Sequence, residues 1–102
     1  MRGLTRVDVY AFPFEEKLGY PQKQQVQIDG IAYTLYFRWN PEDDGFAVLK
    51  IRRNVDDTVI YTGRLVRFNP VEVRDPATYA PLFTIFPYTL SETQCTVWVV
   101  YG

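Results

Sequence analysis

The sequence feature that most constrains the fold is the dipeptide Asp29-Gly30, which stands between two alternating runs, QQVQI and IAYTLYFRW. Asp-Gly accepts positive φ at both central positions of a turn, as a type I′ β-hairpin requires. After the turn, every second side chain is apolar over nine residues: Ile31, Tyr33, Leu35, Phe37 and Trp39. This period of two predicts a long strand with one buried face.

Similar runs, separated by turn residues, recur along the rest of the chain. Strands are predicted at 4–10, 46–52, 59–68 and 95–101, with shorter extended segments at 71–73 and 83–86. Gly63 is expected to mark a β-bulge, and the continuous apolar run CTVWVVY is expected to be buried on both faces. We therefore predict one all-β domain over residues 1–102, a small antiparallel β-barrel or sandwich of about six to seven strands.

Two short segments are compatible with a single helical turn. One runs from Phe14 to Leu18, inside a loop predicted over residues 11–22. The other opens at Asp75-Pro76, where Asp suits the N-cap position and Pro the first helical position. Pro81 limits this second helix to about one turn.

The sequence lacks the residue types that several kinds of catalytic and binding site require. The chain has no His, which excludes Ser-His and Cys-His catalysis and His-ligated metals, and its one Cys, Cys95, excludes an internal disulfide. A net charge of −1 provides no overall basic field for nucleic acid. No apolar run approaches the roughly 20 residues that span a bilayer, and the start MRGLTRVDVYAF lacks the apolar region of a secretory signal. We expect no enzymatic activity, cofactor, metal, nucleic-acid partner or membrane partner.

The remaining charged candidates have ordinary structural interpretations. Asp43-Asp44 and Asp56-Asp57 are the only acidic pairs and could serve a cation site or a carboxylate dyad, but Asp is also typical of turns. Arg52-Arg53, Arg64 and Arg67, beside Tyr61 and Phe68, could form a nucleic-acid face, outward charges on strands or salt bridges to a neighbouring subunit. Cys95 opens an apolar strand and is interpreted as a small buried hydrophobic residue.

Aromatic residues are abundant for a chain of this size, with 8 Tyr, 7 Phe and 2 Trp. They fit either a Tyr-rich core or a protein interface, where Tyr, Trp and Arg are enriched. The Pro-rich loops at 11–21 and 76–87 carry aromatics that a small sheet cannot all cover, so we expect them to contact neighbouring subunits. The six residues predicted to bind partners are Phe12, Phe14, Tyr20, Tyr79, Phe83 and Phe86.

The middle of the chain resembles a known family. Ile28-Asp29-Gly30, Tyr33, Leu35, Phe37-Arg38-Trp39-Asn40, the turn Asp43-Asp44-Gly45-Phe46, and Ile60 through Gly63-Arg64-Leu65-Val66 follow the order found in small baseplate plug-like proteins of contractile-tailed phages. The resemblance covers about residues 23–70. It implies a β-rich structural protein of the virion tail baseplate, made in the host cytoplasm and packed at the central hub near tube and spike proteins, with no enzymatic activity.

The sequence is compatible with three functions. The first is a structural virion component that packs against copies of itself and other tail proteins. The second is a small β-barrel that binds single-stranded nucleic acid or carbohydrate through exposed Tyr, and the third is a small hydrolase that uses carboxylates. A contiguous aromatic patch with few basic neighbours would favour the first, an Arg-lined groove with stacked Tyr the second, and two facing carboxyl groups the third.

Overall fold

The computed structural model describes residues 8–101, which form eight strands in two four-stranded antiparallel sheets. The strands are β1 (Asp8–Ala11), β2 (Gln22–Ile28), β3 (Ile31–Asn40), β4 (Phe46–Arg53), β5 (Thr58–Arg64), β6 (Val71–Arg74), β7 (Pro81–Leu90) and β8 (Cys95–Tyr101). The all-β prediction is confirmed, and the sheets stack as a sandwich. The strand number exceeds the predicted six to seven. Residues 4–7 of the predicted first strand lie outside the described residues.

The two sheets differ in how the chain builds them. The first has the order β1-β8-β7-β6, so it combines the first strand with the last three. The second is the meander β2-β3-β4-β5, in which each strand pairs with its sequence neighbour. The segments 12–21 and 65–70 carry the chain from one sheet to the other. The long-range pairing of β1 with β8 places the first strand at one edge of the first sheet.

The hairpin predicted at Asp29-Gly30 is confirmed. Asp29 has a φ of 53° and Gly30 a φ of 79°, the positive values that a type I′ turn requires. The turn sets a register in which Ile28 pairs with Ile31 and Gln22 with Phe37. On β3, Tyr33, Leu35 and Phe37 are buried and Trp39 is half-buried, whereas Ile31, at the start of the strand, is 36% exposed.

Neither candidate helical turn is a helix, and no described residue is helical. The carboxylate of Asp75 does accept the backbone N–H groups of Ala77 and Thr78, as an N-cap would. However, Tyr79 has a φ of 62° and the Asp75 N–H donates to the Ala80 carbonyl, so the chain reverses into β7. The Asp-Pro signal was correct locally, but it starts a tight hairpin connection.

The 14–18 segment also forms turns. The N–H groups of Leu18 and Gly19 donate to the carbonyls of Glu15 and Glu16, three residues back, and Gly19 then takes a φ of 60°. A residue in the left-handed region ends such a run of turns. The one-turn helix expected here is therefore wrong.

Three strand details differ from the sequence-based prediction. Strand β5 ends at Arg64, and its register shift lies opposite Ile51/Arg52, so Gly63 pairs regularly with Leu49. Strand β7 continues through Pro87, which is fully buried at a register shift, a position where a ladder tolerates proline. Strand β8 is buried on one face only, because Trp98 points outward and is 36% exposed.

One apolar core lies between the sheets. It is formed by the inward side chains of both: Phe12, Ile28, Tyr33, Leu35, Phe37, Ala47, Leu49, Ile51, Ile60, Leu65, Val73, Phe83, Ile85, Cys95, Val97 and Val99. Polar contacts at the edges join the same two layers. Tyr10 Oη donates to the Gln27 carbonyl at 2.7 Å, and Arg53 of β4 contacts Asp75 at 2.7 Å. The outer faces of the two sheets lie away from this core.

Candidate protein interfaces

Two of the six predicted partner-binding residues belong to the core. Phe12 and Phe83 are each 4% exposed. Their rings pack edge to face with centroids 6.5 Å apart, and the Phe83 centroid also lies 5.5 Å from that of Tyr33. The exposure expected for this pair is wrong, because Phe83 occupies an inward position of β7 and packs there against Phe12.

Phe14 and Tyr20 cover one end of the core. The Phe14 ring packs edge to face on Phe37, with 5.2 Å between the ring centroids. The rings of Tyr20 and Trp39 have centroids 5.6 Å apart. The buried side chain of Gln22 holds their loop: Oε1 accepts the Glu15 N–H, and Nε2 donates to carbonyls of that loop. The loop therefore packs on its own protein, whereas the sequence led us to expect an arm.

Tyr79 and Phe86 are the accessible members of the set. Tyr79 lies in the β6–β7 connection with 72% of its surface exposed. Phe86 points outward from β7, is half-buried, and pairs across the sheet with Trp98. Binding of a partner by the six residues stays a prediction.

The outer face of the first sheet is apolar. Its outward positions on β1, β7 and β8 carry no charged side chain, and strand pairing places Val9 beside Val100 and Ala11 beside Trp98. We call this surface the apolar face. It consists of Val9, Ala11, Phe68, Phe86, Tyr88, Trp98 and Val100.

Phe68 extends the apolar face beyond the strands. Its ring stacks on Phe86 at 6.1 Å and contacts Tyr88 at 5.6 Å, while the Arg67 guanidinium lies 4.4 Å from the ring centroid. Phe68 has a φ of 63°, which is rare for a bulky residue, and its N–H donates to the Pro87 carbonyl. The backbone thus holds an exposed Phe in a strained conformation, a feature that clusters at functional sites.

Sequence reasoning missed Val9, Tyr88 and Trp98 as interface candidates and considered Phe68 only as part of a nucleic-acid face. For Trp98 the signal was the run CTVWVVY, in which both alternating sets of side chains are largely apolar. We interpreted this pattern as burial of both strand faces within the fold. The same pattern also occurs when the second apolar face is covered by a partner protein, and the sequence alone does not distinguish the two cases.

The outer face of the second sheet is basic. Outward positions on β2, β3, β4 and β5 carry five of the cations, and we call this surface the basic face: Lys23, Arg38, Lys50, Arg52 and Arg64. An open groove of about 560 Å³ crosses it. The groove is lined in part by Lys23, Tyr36, Arg38 and Lys50.

The two acidic pairs lie in the β3–β4 and β4–β5 turns. Asp56 and Asp57 contact Arg53 and Arg52, respectively, while the Asp43-Asp44 pair lies in the β3–β4 turn. Cys95 is buried as predicted, and burial raises the pKa of its thiol to about 11. Within residues 8–101, no group of three potential ligands could hold a metal, and no helix is long and apolar enough to cross a membrane.

The arrangement suits protein contact, and a comparison of the sequence with family models agrees. Residues 9–99 match the family described as cyanophage baseplate Pam3 plug gp18. No curated protein and no solved structure shows a significant match. The match covers β2 to β7 completely and most of β1 and β8, so it extends well beyond the resemblance at residues 23–70. The chain therefore belongs to the cyanophage baseplate plug family, which implies a structural role in a virion tail baseplate.

Proposed function

We propose that this protein is an assembly component of the baseplate, packed as a plug at the central hub near the tube and spike proteins. The apolar face is the surface that a neighbouring baseplate protein covers. The observation that carries the proposal is the contiguous apolar face on a member of the plug family.

The composition of the apolar face supports a protein partner. Trp98, Tyr88 and Phe68 are 36%, 47% and 52% exposed, and large aromatics of this kind dominate the energetics of interface centres. Covering them removes apolar surface from water, which stabilises an assembly by roughly 25 cal/mol per Å². The salt-bridged pair Glu72 and Arg74, on the edge strand β6, provides a polar rim.

The six predicted partner-binding residues have different roles in the proposed assembly. Phe86 supports the Phe68 ring in the apolar face, and Tyr79 offers a second exposed contact on the β6–β7 connection. We propose that Phe12, Phe14, Tyr20 and Phe83 act on assembly indirectly, because they pack in or against the core that supports the sheet presenting the face.

The test is co-purification with the hub, tube and spike proteins of the same phage. We expect the double variant Phe68→Ser/Trp98→Ser to lose its partner while keeping the far-ultraviolet circular dichroism of the wild type. Val55→Ser is the matched control, because Val55 is 85% exposed in the β4–β5 turn, away from the apolar face. Retention of every partner by a folded Phe68→Ser/Trp98→Ser protein would refute the assignment of the apolar face.

A further inference from the structure

The basic face carries charges that the monomer does not neutralise. The chain has a net charge of −1, yet five cations share the outward positions of one sheet. Arg52 lies 3.3 Å from the exposed Asp57, but Lys23, Arg38 and Lys50 contact no carboxylate among residues 8–101. These three cations surround the groove, so an anionic group entering it would meet only positive charge.

Tyr36 indicates which anionic group fits. Pairing places Tyr36 between Lys23 and Lys50, which are therefore about 10 Å apart across the sheet. Lys50 Nζ lies 4.5 Å from the Tyr36 ring centroid, and the Arg52 guanidinium lies at 5.9 Å. Because cations already occupy the face of this half-buried ring, it is poorly placed to stack on a nucleic-acid base. Carboxylates on a protein segment are the better match.

The same chain carries such a segment. The β3–β4 turn presents three consecutive exposed carboxylates, Glu42, Asp43 and Asp44, and none of them forms a salt bridge with a described residue. The turn is ordered: the Gly45 N–H donates to the Glu42 carbonyl at 2.8 Å, and the Glu42 N–H donates to Asn40 Oδ1 at 3.0 Å. An ordered turn loses little conformational entropy when it docks.

We propose that the acidic β3–β4 turn of one copy docks in the groove of the basic face of the next copy. The turn cannot serve its own groove, because β3 and β4 remain paired up to Asn40 and Phe46 and point it away from the end of the sheet. A contact between two different surfaces repeats head to tail, and it closes into a ring when the rotation permits. The inference deepens the proposed assembly role, on which it rests, by assigning the contact between copies.

The test is sedimentation velocity of the isolated full chain at about 50 mM and about 500 mM NaCl, since screening weakens exposed ion pairs. We expect self-association at low salt that weakens at least about tenfold at high salt. Lys50→Glu and Asp43→Lys should each abolish it, and their combination in one chain should restore it. Lys23→Glu provides a second reversal in the groove, and circular dichroism checks that each variant is folded.

The matched control is Lys17→Glu, which reverses an exposed charge outside the groove and the turn and should leave association unchanged. A monomeric wild type at low salt, association that survives the reversals, or failure of the combined variant to recover would overturn the inference. So would binding of a short oligothymidylate through Lys50 in the absence of self-association. Association that strengthens with salt would indicate the apolar face instead, and partner co-purification tests the proposed function separately.

Discussion

Gly45 lies directly against the indole of Trp39: a Cβ atom at Gly45 would stand 2.4 Å from Trp39 Cζ2. Gly45 also has a φ of 90°, which L side chains rarely adopt. Two independent constraints therefore require glycine where the acidic β3–β4 turn enters β4. Because Trp39 in turn contacts Tyr20, the glycine helps to seat the aromatic cover at this end of the core.

We expect Gly45→Ala to lower the free energy of unfolding by about 2–4 kcal/mol, combining backbone strain with overpacking against Trp39. Gly30→Ala is the control, because Gly30 has a φ of 79° but no atom within 4 Å of the added Cβ. It should cost only about 1 kcal/mol. Urea unfolding of the two variants measures the difference. Equal costs would show that the Trp39 contact adds nothing.

The burial of Phe83 gives a second prediction. Phe83→Ala should destabilise the isolated protein by about 3–5 kcal/mol, because it leaves a cavity beside Phe12 and Tyr33. Tyr79→Ala should change stability by less than about 0.5 kcal/mol, since Tyr79 is 72% exposed. Chemical denaturation of both variants decides which aromatics are structural. A folded, fully stable Phe83→Ala protein would restore the idea of an exposed arm.

Sequence reasoning succeeded where the cause was local. Asp29-Gly30 determines its own turn, and alternation correctly placed Tyr33, Leu35 and Phe37 on the buried face of β3. It failed where distant segments meet. Phe12 is buried by strands near the other end of the chain, and nothing near it in sequence indicates that cover.

The two outer faces show the same limit in another form. Lys23, Arg38 and Lys50 become neighbours only after three strands pair, so a net charge near zero concealed a basic surface. Exposure of Trp98 was equally hidden, because its strand is apolar on both sides. Local sequence patterns identify the apolar residues, but they do not indicate which distant segment or partner protein buries them.

Acid should weaken the protein through the Arg53 cluster. Arg53 contacts Asp56 at 2.8 Å and Asp75 at 2.7 Å, and these hydrogen bonds lower the pKa of both carboxyls, that of Asp56 from 3.8 to about 2. The contribution to stability is complete above the unfolded value of 3.8 and is lost as pH falls through the folded value near 2. We therefore expect the urea midpoint of the wild type to fall between about pH 4 and pH 2.

The double variant Asp56→Asn/Asp75→Asn tests that assignment. It should be less stable than the wild type at neutral pH but should lose less of its remaining stability on acidification. Asp43→Asn is the control, because Asp43 is exposed and forms no salt bridge among the described residues. An acid profile of the double variant parallel to that of the wild type would assign the acid sensitivity to other carboxyls.

The thiol of Cys95 reports whether the 12–21 loop stays on its own core. Cys95 is 3% exposed, and burial raises the pKa of its thiol to about 11, so little reactive thiolate exists near pH 8. The Tyr20 hydroxyl approaches the carbonyl of Gln94, the residue before Cys95, at 3.3 Å. We expect a disulfide reagent to label the wild type only on unfolding in urea, and Tyr20→Ala to react at least about tenfold faster under native conditions.

Leu18→Ala changes an exposed residue of the same loop and should keep the slow rate of the wild type. Rapid labelling of the native wild type would mean that the loop leaves the core readily, which would make Phe14 and Tyr20 available to a neighbouring subunit after all.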